Sequence, residues 1–196
     1  MTELPSSFPP RLPLADLPTP VEFLPRLTAM LGGPPIWIKR DDQTGLAFGG
    51  NKTRKLELLL AEAQAQGART LITTGAVQSN HCRQTAAAAA KAGMECVLVL
   101  AGSPPEQVSG NLLLDMLVGA ELVYTRGLDR DTCLEETVRR LEADGRKPYR
   151  IPYGGSSPLG AAAYALAMAE LLQQHADFDR IVFATSSGGT QAGLIA

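Results

Sequence analysis

The sequence is poor in aromatic side chains: one Trp, four Tyr and five Phe make up 5% of 196 residues. So few rings argue against a base-stacking platform for single-stranded nucleic acid. It also lacks an excess of positive charge. Eighteen Lys and Arg stand against twenty Asp and Glu, a formal net charge of −2 with pI near 5.7. That balance gives no bulk attraction to nucleic acid or to an anionic membrane. Cysteine is scarce: Cys82, Cys96 and Cys133 form no Cys-x-x-Cys pair and have no partnering His cluster. A disulfide scaffold or zinc site is therefore not expected, and unpaired thiols suit a reducing compartment. The longest apolar-leaning run, 160–172, is Ala-rich and short of the ~20 residues that span a bilayer. Residues 1–10 carry no basic stretch followed by an apolar run, so no signal peptide is expected. These absences predict a soluble cytoplasmic protein with no metal, nucleic-acid or membrane partner.

What is present is a core-forming chain. Hydrophobic residues make up 45% and charged residues 19%, a composition that buries a sizeable core in one or two domains. Residues 1–20 hold six prolines and are expected to run as an extended surface arm. A short helix is expected over 22–31, starting around Pro25 and closed by Gly32-Gly33-Pro34-Pro35, then a strand at 36–39. Helices and strands then alternate. Helices are predicted at 53–66, 81–92, 111–118, 131–143, 161–174 and from 191 onward. Strands are predicted at 69–74, 94–100, 121–125, 147–151 and 180–184. Repeated β-α-β units with nearly continuous apolar strands predict an α/β fold with a parallel sheet covered on both faces.

One stretch organises the rest: Gly49-Gly50-Asn51-Lys52-Thr53-Arg54-Lys55. Two glycines allow a close backbone approach or φ > 0, and a lysine follows at the mouth of a helix. A lysine amine held there is a nucleophile if burial lowers its pKa. The alternative is a solvated lysine at a helix start. After the expected strand 180–184 comes Ser186-Ser187-Gly188-Gly189-Thr190, a strand-to-helix loop with free N–H groups, hydroxyls and room for a phosphate. It fits neither a P-loop nor the dinucleotide pattern G-x-G-x-x-G, and a packing turn is its plain alternative. Gln78-Ser79-Asn80 lies between another strand and helix, where a hydroxyl and amides suit a carboxylate or a ring oxygen, or simply cap the helix. His81 and His175 show no carboxylate or nucleophile partner and are expected at the surface or as caps. Arg40-Asp41-Asp42 reads as a loop that props the site. A nucleophilic lysine paired with a phosphate cradle suits a cofactor that carries both an aldehyde and a phosphate, pyridoxal 5'-phosphate, held as a Schiff base.

GGNKTRKLE, GAVQSNHCRQTAAAAAKAGM, GGSSPLG and SSGGTQAGL occur in this order. Together they resemble the pyridoxal-phosphate enzymes of fold type II, in the D-cysteine desulfhydrase and 1-aminocyclopropane-1-carboxylate deaminase branch, over essentially the whole chain. The resemblance implies open parallel sheets in two domains of the tryptophan synthase beta-like type. Residues 1–52 and 158–196 would belong to a large cofactor domain and 53–157 to a small inserted one. It implies Lys52 as the Schiff-base and catalytic lysine and Lys55 as a phosphate contact. Ser79 and Asn80 would meet the substrate carboxylate and the cofactor ring, with Gln78 beside them, and Ser187, Gly188, Gly189 and Thr190 the phosphate. The implied substrate is a small amino acid and the implied assembly a homodimer when full length. His81 after Gln78-Ser79-Asn80 looks more like the desulfhydrases, while the deaminases and the cysteate sulfo-lyases stay open. The chain stops as the helix after the phosphate loop begins, whereas the family continues. The expectation is a C-terminally truncated chain, with an inactive phosphate-binding fragment as the reading from another class.

Overall fold

The computed structural model describes residues 10–175 and 177–196; part of the proline-rich arm lies outside them. Residues 10–20 form no helix or strand, but they are not merely draped over the surface. Leu14 and Ala15 donate their backbone N–H groups to Glu57 Oε1 at 2.9 and 3.0 Å, and Leu14 and Thr19 are buried. The arm is anchored because its backbone donors find a buried carboxylate, where each unpaired donor would cost free energy.

β1 (Val21–Phe23) pairs antiparallel with β2 (Trp37–Lys39), and α1 (Pro25–Leu31) connects them. The helix starts at Pro25, as expected, because a residue before proline is pushed away from the helical region; Leu24 sits at φ −107, ψ 76. Then follow α2 (Lys52–Ala65), β3 (Thr70–Ala76), α3 (Asn80–Lys91), β4 (Glu95–Ala101), α4 (Gly110–Leu117), β5 (Glu121–Tyr124), α5 (Arg130–Ala143) and β6 (Pro148–Arg150). α6 (Pro158–Gln174) and α7 (Gly189–Ile195) complete the described chain.

The four strands β3 to β6 form one parallel sheet in the order β5-β4-β3-β6. Alternation along each strand decides what packs where. Leu71, Cys96, Leu98 and Leu100 face a core built with Leu56, Leu59, Leu60 and Ala63 of α2, Cys82, Ala86, Ala88 and Ala89 of α3, and Leu112 of α4. Ile72, Val97 and Val99 point the other way, onto Cys133, Leu134 and Leu141 of α5. The α/β class with a parallel sheet flanked by helices on both faces is therefore what the chain adopts.

The expected strand 180–184 does not form. Its residues have strand composition, but no described strand lies beside them to share a ladder, and Val182 is 95% exposed. Strand preference is largely a matter of fitting a neighbour. No described helix is long and apolar enough to cross a membrane.

Candidate active site

Lys52 is the first residue of α2, and the backbone leading into it is unusual. Ala47, Phe48, Gly49 and Gly50 all have positive φ, at 45, 68, 71 and 129. Such a run in two non-glycine residues costs on the order of 1–3 kcal/mol each and persists only where neighbours hold it. Here α3 holds it. The Arg83 guanidinium donates to the carbonyls of Ala47 and Gly49, the latter at 2.9 Å, and Gln84 Nε2 donates to Gly49 O at 2.7 Å. Thr44 Oγ1 donates to Gly50 O and accepts from Gly50 N. Glycine at 50 suits a φ of 129 that L side chains rarely adopt, and a Cβ there would displace the Gln84 amide, 1.9 Å away.

One cavity of about 290 Å³ is lined by Asn51, Lys52 and Lys55 on one side and by 184–188 and Thr190 on the other. The structure thus brings together Lys52, Lys55, Ser187, Gly188 and Thr190. Gly189 belongs to the same place, since a Cβ on it would stand 3.0 Å from Lys55 Nζ. The Gly154-Gly155 turn closes a third side. A Cβ on Gly154 would stand 3.4 Å from Ser187 Oγ and 3.8 Å from Lys52 Cε, and Ser156 Oγ donates to Ser187 O at 3.0 Å. All three glycine-rich segments of the sequence meet around these two lysines.

The electrostatics separate the two amines. Lys52 Nζ donates to Asn51 Oδ1 at 3.1 Å, and burial lowers its pKa. Lys55 is 1% exposed, and among the described residues its amine has one hydrogen bond, a long one of 3.5 Å to Gly154 O. Burial, then the charge of Lys52, pushes its pKa down to about 8. Among the described residues no carboxylate pairs with it. A buried cation with no carboxylate partner among the described residues, beside a glycine- and serine-lined cavity, fits an anion of phosphate size.

Gln78, Ser79 and Asn80 do not line that cavity. They sit at the carboxyl end of β3. Ser79 caps α3, accepting from Cys82 N at 3.3 Å, and Asn80 is the first, exposed residue of that helix. The Gln78 side chain turns to α4, donating to Ser109 O at 3.0 Å and accepting from Asn111 N at 2.9 Å. α3 meets the start of α2 through Gln84, which accepts from Thr53 Oγ1 at 3.2 Å and donates to Gly49 O at 2.7 Å.

Sequence reasoning missed three parts. His81 is not at the surface but 4% exposed, with Nε2 at 2.9 Å from Thr73 Oγ1. Its position on α3 reads as a cap until β3 is known to pack there. Arg54, between the two lysines in sequence, is buried and bonds to Asp41 and Glu170. Arg40-Asp41-Asp42 does prop this region, through Asp41. Tyr164 of α6 reaches Asn51 O at 3.0 Å and Asp41 Oδ2 at 3.2 Å. No local pattern signals contacts made across more than a hundred residues.

A half-buried amine beside an anion cradle defines a lysine-centred site for a phosphate-bearing cofactor. Residues 12–196 match the family described as pyridoxal-phosphate dependent enzyme, and the chain belongs to that family. It is 50% identical over 194 residues to a D-cysteine desulfhydrase of Salmonella choleraesuis (strain SC-B67), covering 94% of this chain and 59% of the relative. A solved structure described as an ACC deaminase homologue is 44% identical with a TM-score of 0.88, covering 96% of this chain and 58% of that one. A pyridoxal 5'-phosphate-dependent aspartate racemase is 25% identical with a TM-score of 0.70, covering 90% and 51%. The chain thus spans less than two thirds of the length of these relatives.

Proposed function

We propose that this chain carries the lysine and phosphate portion of a pyridoxal-phosphate-dependent lyase that acts by β-elimination on a small amino acid, with D-cysteine as the substrate. The observation that carries the reading is the single cavity shared by Lys52, Lys55 and the 184–190 loop. When bound, pyridoxal phosphate supplies an aldehyde that condenses with amines and a ring that withdraws charge from Cα. Lys55 and the N–H groups of 187–190 hold its phosphate. Lys52 would carry the cofactor, and once displaced by the substrate amine its own amine, whose pKa burial lowers, would take the proton from the substrate Cα. Ser79 orients the substrate carboxylate or assists proton transfer, with Gln78 and Asn80 beside it. Overall, D-cysteine and water give pyruvate, hydrogen sulfide and ammonia.

The 50% identity to a D-cysteine desulfhydrase supports this substrate; the 44% identity to an ACC deaminase homologue supports ring-opening deamination as the second reading. Three buried, unpaired cysteines agree with a reducing, cytoplasmic setting. The deciding experiment is to add pyridoxal phosphate to the chain, reduce with borohydride and map the modified peptide. Label on Lys52 is the expected result, and label elsewhere or none sinks the reading. Sulfide from D-cysteine without ammonia from the cyclopropane acid or sulfite from cysteate then fixes the branch.

A further inference from the structure

We propose that Tyr164 is a positioning residue that sets the Lys52 turn and the Lys55 ammonium in register with the 187–190 loop. Its side chain is buried at the junction of four segments. The hydroxyl lies 3.0 Å from Asn51 O, in the residue just before Lys52, and 3.2 Å from Asp41 Oδ2. A phenol has one proton to give. Asn51 O is the nearer acceptor, and Asp41 Oδ2, which also receives Arg54 Nε at 3.0 Å, is the second, so the hydroxyl bridges the turn before Lys52 and the Asp41 carboxylate. Burial, then the charge of Asp41, raises the phenol pKa, and the hydroxyl stays a donor at any working pH. The ring lies 5.8 Å below Lys55 Nζ, within reach of a cation–π contact. On the other side α7 rests on the same residue. A Cβ at Gly193 would stand 2.6 Å from Tyr164 Cβ, so that helix is seated directly against it. One side chain therefore touches the turn before one lysine, the amine of the other, and the helix that follows the phosphate loop.

The contacts stand by themselves; their service to the cofactor rests on the function proposed above. The test keeps the two apart by reading the lysines without cofactor. The chain, Tyr164→Phe and Tyr164→Leu are each labelled with acetic anhydride across a pH series. Peptide mapping follows the Lys52 and Lys55 amines, with exposed Lys91 and Lys147 as internal references. Tyr164→Phe removes the hydroxyl that bridges Asn51 O and Asp41 and keeps the ring. It is expected to raise the half-reaction pH of Lys52 by about one unit, the equivalent of one ordinary hydrogen bond, and to leave Lys55 in place. Tyr164→Leu admits water beneath Lys55 and is expected to raise both. Unchanged profiles in both variants overturn the proposal, as does an equal shift of all four lysines. Borohydride trapping with pyridoxal phosphate is run in parallel. If the unsubstituted chain fails to trap cofactor on Lys52 while the labelling profiles still separate, the cofactor reading falls and the positioning role stands.

Discussion

Lys52 and Lys55 are one helical turn apart and face one cavity, so a third positive charge behind them would be costly. His81, buried in α3, is kept neutral. Burial, then the charges of Lys52 and Lys55, pushes its pKa down to about 3. Its tautomer is fixed as well. Thr73 Oγ1 gives its single proton to Ile151 O at 2.9 Å, so the ring must donate to Thr73 from Nε2. Nδ1 is left as a bare, buried acceptor without a partner among the described residues. Because the folded pKa lies below the unfolded value near 6.5, the neutral ring contributes stability above that pH. The contribution is lost as pH falls from about 6.5 toward 3. Nitrogen chemical shifts of His81 are expected to show the Nε2–H form with no midpoint between about pH 4 and pH 8. A midpoint near 6.5 would show instead that the ring is open to water.

Elements were legible in the sequence wherever a pattern is local. The spacing of Leu56, Leu59, Leu60 and Ala63 announces α2, and glycine followed by lysine marks the turn before it. The same holds for the 186–190 loop, whose glycines and hydroxyls are consecutive. What stayed hidden depends on a partner element. Residues 180–184 look like a strand but have no ladder to join among the described residues, and the Arg54–Glu170 pair spans 116 residues. The seating of α7 on α6 is of this second kind. A Cβ at Gly193 would stand 2.0 Å from Ala161 O, a backbone atom with no room to move. Gly193→Ala is therefore expected to push α7 away from α6 and carry the loop before it off Lys55. Pyridoxal phosphate binding, followed by absorbance titration, should weaken about tenfold or more, the loss of one charge-assisted contact. Pyridoxal, which has no phosphate, should bind as it does to the unsubstituted chain. Equal weakening of both would place the damage in the fold and not in the cradle.

Across the whole molecule, one buried charge hub ties the amino-terminal arm to helices from both ends of the chain. Arg54 of α2 donates to Asp41 and to both oxygens of Glu170 on α6 at 2.9 Å. Lys39 of β2 pairs with the same Glu170, whose Oε1 also accepts from Thr19 N at 3.1 Å. Burial would raise the Glu170 pKa, but the hydrogen bonds from Arg54 and Lys39 outweigh it and hold the carboxyl at about 2. A folded pKa below the unfolded one means stability that is complete above the unfolded value and lost as pH falls toward the folded one. The window is therefore about pH 4.5 down to about 2. Glu170→Gln leaves Arg54 buried beside one carboxylate instead of two. It is expected to cost about 3 kcal/mol at neutral pH, the lower end for breaking a buried pair. Denaturant unfolding of both chains across pH should show that gap closing through the same window. A gap that stays constant with pH would mean that Glu170 acts through shape alone. Arg54 shares its helix with Lys52 and Lys55, so the variant also tests whether the hub anchors the site. If it does, cofactor trapping on Lys52 should fall together with stability at neutral pH, where the ion pairs are intact in the unsubstituted chain.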